Sequence, residues 1–243
     1  MIKKLDFHVY NGRGRHVLVT SETSNRSVQL LCALPRDGLR AFTTTLELDG
    51  RTMGLILKTQ AKLSKLVFPS KILDNNYLGG HLGKLTDLTL VLNDGDQDVG
   101  SNCLAFTTAL RNLTFKPKTK YAHNRKSISI WSIPKMENLL DLRSIEIHST
   151  CIRKGDSSFG GLTHLSKLQS LLLSNCPGIA VTIKSLAKEF LKCDSSALKS
   201  LIIRQTHIIE VEKPFGVELE SLLEAVPALE TLRHRNQGQA PVY

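Results

Sequence analysis

The chain has 243 residues, a formal net charge of +10 and 41% hydrophobic residues. That length suffices for one large core or one long array, and no apolar run approaches the roughly 20 residues of a membrane-spanning helix. The five cysteines are scattered without a C-x-x-C pair, which favours free thiols in a reducing compartment over a disulfide framework. Lys3, Lys4 and Asp6 interrupt the first apolar stretch, so we expect no signal peptide, no membrane attachment and a cytoplasmic or nuclear location.

One leucine pattern recurs along the chain. Its clearest copy is L-x-x-L-x-L-x-x-C-x-x-I, from Leu168 to Ile179. Ile2, Leu5 and Phe7 favour an early copy, and at Leu39 and Leu229 the third apolar position holds a polar residue, Thr44 and His234. Copies begin every 22 to 32 residues, at Leu39, Leu63, Leu85, Leu110, Leu142, Leu168, Leu198 and Leu229. This period and motif are typical of leucine-rich repeats, each of which opens with a short strand.

Between the later strands, apolar residues have helical spacing. One set follows Thr182, a predicted N-cap, and another ends at Pro227. Together these elements predict an α/β leucine-rich-repeat solenoid, or horseshoe, of about eight to nine irregular repeats. Parallel strands would line its concave face and helices its convex face, and residues 1–243 would form a single domain. The members of the helical sets are Ile183, Leu186, Ala187, Phe190 and Leu191, then Leu219, Leu222, Leu223 and Val226.

Four repeats place a small or polar residue just past the strand, where it can satisfy backbone groups of the turn. These residues are Asn93, Thr150, Cys176 and Thr206. Each one alone is equally consistent with an ordinary loop residue, whereas four equivalent positions favour a structural role.

No local motif predicts catalysis, a cofactor or a metal. Gly79–Leu85 resembles a phosphate loop, but its glycine spacing is short and Leu85 replaces the Ser or Thr that would hold Mg²⁺. Asp94–Asp98 resembles the start of a calcium loop, but Val99 and Ala105 stand where the turn glycine and the bidentate Glu belong. We therefore expect a non-enzymatic protein with no cofactor and no metal, although an active site assembled from distant residues leaves no such motif.

Alternation along each strand predicts which side chains face away from the core. We expect Leu172 and Ile202 to lie side by side, exposed and apolar, with charged groups on both flanks. An apolar centre with a charged rim is typical of a protein-binding patch, yet any one of these residues is better explained as an ordinary outward strand residue. The predicted concave-face binding residues are Glu146, His148, Leu172, Ser174, Ile202, Arg204, Arg233 and Arg235.

A basic run offers an alternative partner. The run Lys116–Lys126, together with Arg204, Arg233 and Arg235, would suit nucleic acid, but a solvated loop is the simpler interpretation of the run. Aromatic residues make up only 5% of the chain, so stacking platforms for single strands are not evident. We expect an unknown protein partner rather than nucleic acid.

The copy Leu168–Ile179, with its Cys176, resembles the cysteine-containing repeats of F-box proteins. The stretches Leu30–Pro35 and Leu57–Leu66 look like irregular repeats of fungal members of that family. The resemblance implies that the repeats select a substrate while a separate F-box docks the ubiquitin-ligase scaffold. No L-P-x-E-hydrophobic segment is visible, so we expect a fragment or a member without its N-terminal module. A ligase scaffold would then be a partner only if an F-box is supplied elsewhere.

Overall fold

In the part of the chain that the computed structural model describes, nine parallel strands form one sheet, in the order β1-β2-β3-β4-β5-β6-β7-β8-β9. The structure describes residues 4–7, 29, 35–45, 48–70, 78–92, 104–117, 138–148, 162, 164–176, 179–191, 197–205 and 216–236. The strands are β1 (Lys4–Phe7), β2 (Ala41–Thr44), β3 (Lys65–Pro69), β4 (Asp87–Leu92), β5 (Asn112–Pro117), β6 (Ser144–His148), β7 (Ser170–Ser174), β8 (Ser200–Gln205) and β9 (Thr231–Asn236). All eight predicted copies are confirmed, and β1 confirms the early one.

Backbone hydrogen bonds fix the register at the point where each strand begins. The carbonyl oxygen of Arg143 accepts from the N–H groups of Gln169, at 2.8 Å, and Ser170, at 3.0 Å. In every repeat from that of Arg40 to that of Lys199, the carbonyl oxygen of the residue after the first leucine accepts two such hydrogen bonds from the next repeat. Because each repeat uses the same pair of bonds, neighbouring strands pair without slippage.

Four helices have described bounds. They are α1 (Gly50–Thr59), α2 (Gly79–Leu82), α3 (Ile179–Phe190) and α4 (Gly216–Ala225). Asp49 caps α1, since its carboxylate accepts from the Thr52 N–H at 2.9 Å and the Thr52 hydroxyl at 2.6 Å. The N-cap prediction for Thr182 is wrong, because α3 begins at Ile179. Residues 179–181 are apolar helix-compatible residues, and the nearest breakers, Pro177 and Gly178, come before them.

One continuous core lies between the strand layer and the helix layer. The inward strand residues and the apolar faces of α1 and α3 belong to the same buried cluster. Ile145, Leu171 and Leu201 are at most 1% exposed, while the residues between inward positions are more exposed. Thr44, at the degenerate position of its repeat, is also fully buried, so the repeat keeps its geometry there despite the polar side chain.

Two repeats bury a polar residue at a position just before the leucine motif, where other repeats bury an apolar residue. Three residues before the first leucine, four repeats have a buried apolar residue, which is Leu82, Leu139, Leu165 or Val226. Gln60 and Thr107 take this place in two repeats. The Gln60 amide accepts from the Leu39 N–H and donates to the Pro35 carbonyl, both at 3.0 Å, which satisfies the polar groups it buries.

Candidate binding surface

The concave face, defined here as the outward residues of β2 to β9, is arranged in rows that run across the strands. In the central row Glu146, Leu172, Ile202 and Arg233 are register partners on β6 to β9. Parallel strands lie about 4.8 Å apart, so each of these residues lies beside its row neighbours. The predicted residues of β6 to β9 are therefore brought together on one surface.

An acid and an imidazole occupy one flank of this surface. His148 Nε2 lies 3.3 Å from Glu146 Oε2, and the two side chains are 31% and 45% exposed. Ser174 is the register partner of His148 and is partly exposed. This flank can accept or donate hydrogen bonds, but a solvated pair of this kind contributes little to stability.

The centre of the surface is less open than predicted. Leu172 and Ile202 lie side by side as expected, and Ile202 is partly exposed. The expectation that Leu172 is exposed is wrong, because it is 7% exposed. Strand neighbours flank Leu172 on both sides, and side chains on a concave sheet converge. The apolar contact surface at the centre of the face is consequently Ile202 rather than the pair.

Arginines occupy the other flank. Arg204 and Arg233 are exposed, and Arg235 is the register partner of Arg204 on β9, although its side chain lies outside the described residues. The Arg204 carbonyl accepts from the Asn175 N–H at 2.7 Å. Asn175 has a φ of 53°, a left-handed conformation that Asn tolerates, and it turns the chain out of β7.

Cys176 has the structural role that its position predicted. It is 2% exposed, and its thiol donates to the Ile147 carbonyl at 3.5 Å, which links the end of β7 to β6. The equivalent residues Asn93, Thr150 and Thr206 lie outside the described residues.

The other sequence motifs are only partly visible. Lys116 is exposed at the end of β5, while the rest of the basic run and the Asp94–Asp98 turn lie outside the described residues. Gly79–Leu82 forms the single turn of α2 before the next strand. Among the described residues, no three His, Cys, Asp or Glu side chains are grouped to hold a metal. Within that same part of the chain, no helix has the length and apolar character to span a bilayer.

Sequence reasoning missed a set of exposed cations where the strands begin. They lie immediately before or after the first leucine of seven repeats, and all are exposed. The signal in the sequence is a Lys or Arg directly before or after the first leucine of each of these repeats. Each one alone looks like an ordinary surface charge, and only the stacking of the repeats brings them into one row. The residues are Arg40, Lys62, Lys84, Arg111, Arg143, Lys167 and Lys199.

Comparison with known proteins identifies the fold. No family model and no curated protein matches the sequence. The structure is similar to the crystal structure of the TLR13–ssRNA13 complex, with a TM-score of 0.55 and 18% sequence identity over 84% of this chain. TLR13 is a leucine-rich-repeat protein, and this chain covers 27% of its length. The nine parallel strands and this likeness together show a leucine-rich-repeat solenoid.

Proposed function

We propose that the chain is a non-enzymatic scaffold that binds a protein partner on its concave face. The observation that carries this proposal is the ordered surface on β6 to β9. Ile202 is partly exposed at its centre, between the Glu146–His148 pair on one side and Arg204 and Arg233 on the other. An apolar contact framed by charges of both signs suits a protein surface, because the apolar group contributes affinity and the charges select the partner.

The finer form of the proposal is a substrate-recognition part of an F-box-like ubiquitin-ligase adaptor. Its support is the cysteine-containing repeat, in which Cys176 makes the inter-repeat contact described above. A ligase scaffold joins such a complex only through an F-box supplied elsewhere.

Affinity capture with matched variants tests the scaffold. Ile202→Asp places a charge at the centre of the concave face, whereas Leu55→Asp places the same charge on a 44% exposed leucine of α1. We expect a defined set of proteins to be lost with Ile202→Asp and with Arg233→Glu but retained with Leu55→Asp. An identical set of captured proteins with all variants would refute concave-face binding. Recovery of a ubiquitin-ligase scaffold subunit with all three variants, together with a partner that is lost with Ile202→Asp, would support the finer form.

The rival surface for nucleic acid, Lys116–Lys126 with Arg204, Arg233 and Arg235, predicts a different result. Binding there would weaken steeply with salt and would be lost on reversing the charges of Lys116 and Arg204. A protein partner on the concave face would remain bound in moderate salt.

A further inference from the structure

The edge of the solenoid where the strands begin carries a row of cations. We call this row the strand-start rim and define it by the residues directly before and after the first leucine of each repeat. One exposed Lys or Arg occurs there in each of seven consecutive repeats, from the repeat of β2 to that of β8. The members are Arg40, Lys62, Lys84, Arg111, Arg143, Lys167 and Lys199.

The charge of the strand-start rim exceeds what composition alone would place there. Its positions in the eight repeats from Leu39 to Leu229 hold seven cations and two acids, Asp141 and Glu230. With Lys and Arg at 32 of 243 residues, about two cations would be expected at sixteen positions. The excess is spread evenly over the repeats rather than concentrated in one loop.

The rim residues lie close enough together to act as one electrostatic surface. Lys167 Nζ is 2.5 Å from Asp141 Oδ1, and Lys199 Nζ is 2.9 Å from Glu230 Oε1, each across one repeat step. The hydrogen bond and charge of Lys167 hold the pKa of Asp141 below its usual value, with smaller contributions from Arg111 and Arg143. Six steps of about 4.8 Å give the row a length of roughly 29 Å.

Much of this charge is not neutralised by the protein. Within the described residues, no ion-pair partner exists for five cations in consecutive repeats, and all five are exposed. The two acids of the rim are paired with cations at its far end. These five cations are Arg40, Lys62, Lys84, Arg111 and Arg143.

The groups around the cations suit a phosphate backbone. Ser64, Thr86 and Gln169 follow the first leucine in the three repeats whose cation precedes it, and the hydroxyls of Ser64 and Thr86 donate to the Arg40 and Ser64 carbonyls. Hydroxyl and amide side chains accompany Lys and Arg at phosphate contacts. A cavity of about 50 Å³, lined in part by Lys58, His81 and Lys84, opens beside the row. A cavity of this volume holds a few water molecules.

Two features favour a single strand over a duplex. The row follows the curvature of the solenoid, which a flexible strand can follow, whereas a duplex stays straight over this length because its persistence length is about 50 nm. Phe106, in the turn between β4 and β5, is 54% exposed. Its backbone carbonyl oxygen lies 3.5 Å from the position that a Cβ atom would take on Gly83, the residue before Lys84. The turn that carries this exposed ring therefore lies next to Lys84, and unpaired bases stack on exposed aromatic rings.

We propose that the strand-start rim binds the phosphate backbone of single-stranded nucleic acid, on a surface separate from the concave face. With five phosphate contacts, the logarithm of the binding constant should fall with the logarithm of salt concentration with a slope of about −3.5. The inference does not depend on the protein partner, since the two surfaces use different residues.

Fluorescence anisotropy with a labelled single-stranded RNA of about 20 nucleotides tests the rim. Three charge-reversal pairs change the net charge equally. Arg111→Glu with Arg143→Glu and Lys62→Glu with Lys84→Glu alter two parts of the rim, and Lys184→Glu with Lys188→Glu alters exposed cations of α3. At low salt we expect each rim pair to weaken binding about tenfold or more and to flatten the salt slope by about 1.4, with little change for the α3 pair. Ile202→Asp should leave RNA binding unchanged.

Several results would overturn the assignment. The first is that the RNA does not bind at low salt. The second is that the α3 pair weakens RNA binding as much as the rim pairs do. The third is that only one rim pair weakens RNA binding, which would indicate a local site. A duplex of the same length that binds as tightly, or a polyglutamate peptide or anionic vesicle that displaces the RNA at equal anion concentration, would also overturn it. Thermal melting checks that the variants fold. If a glutamate pair does not fold, Arg111→Gln with Arg143→Gln replaces it, and an unchanged affinity would contradict the proposal.

Discussion

The repeats of β7 and β9 follow the same leucine pattern but bury it differently. Leu168 and Leu171 are 2% and 0% exposed, whereas Leu229 and Leu232 are only partly buried against the core. β7 has β6 and β8 as neighbours, while β9 pairs only with β8 among the described strands. A leucine of this motif is therefore buried by the neighbouring repeat as much as by its own repeat. Stability is therefore shared between neighbours.

Alanine at equivalent positions of the two repeats should give the largest contrast. Leu171→Ala removes a fully buried side chain and leaves a cavity, so we expect a loss of about 3 kcal/mol in the free energy of unfolding. Leu232→Ala should cost about 1 kcal/mol, because that side chain already contacts solvent. Urea denaturation measures both values. Equal losses would contradict the dependence on a neighbouring repeat.

The buried side chain of Gln60 tests how contacts inside the stack of repeats contribute to stability. Gln60→Leu supplies the apolar residue common at this position but leaves the Leu39 N–H and Pro35 carbonyl without their side-chain partners. We expect a loss of about 1–3 kcal/mol in urea denaturation, because buried unsatisfied polar groups are costly. Lys58→Leu, at an exposed position of the same helix, is the control and should change stability by less than about 0.5 kcal/mol. A stability gain with Gln60→Leu would show that apolar stacking alone holds the two repeats together.

A helix cap gives the smallest effect, because it acts within one repeat. Asp49→Ala should lower the free energy of unfolding by about 1 kcal/mol at neutral pH. Hydrogen bonds from Thr52 hold the pKa of Asp49 below its ordinary 3.8, so the stability it adds is present above about pH 4 and is lost as pH falls through that lowered pKa. Asp49→Asn should keep most of the cap at neutral pH while losing this acid dependence. If the alanine variant retained the acid dependence of the wild type, the cap would not be its cause.

Strand positions were predictable because the motif is short and its inward residues must be apolar. Each strand from β2 to β9 begins two residues after a predicted leucine, as Ser144 follows Leu142. Outward positions such as Glu146 and Ile202 followed from alternation alone. The thiol contact of Cys176 was predictable for the same reason, since the residue sits at a fixed step past the strand.

The features that could not be predicted from the sequence depend on contacts between repeats. The burial of Leu172 comes from its row neighbours and the curvature of the sheet, and neither is visible in one strand. Gln60 looks like a surface residue until the Leu39 N–H, 21 residues away, is placed beside it. Arg111 and Arg143 become one surface only when stacking brings repeats 32 residues apart into contact.

Amide hydrogen exchange resolved by strand tests most directly the claim that neighbours share stability. We expect the amides of β4 to β7 to exchange slowest and at similar rates, which reports one cooperative unit, while those of β9 exchange markedly faster. Exchange of β9 as slow as that of β7 would contradict the account, because burial by a neighbouring repeat would then not control stability.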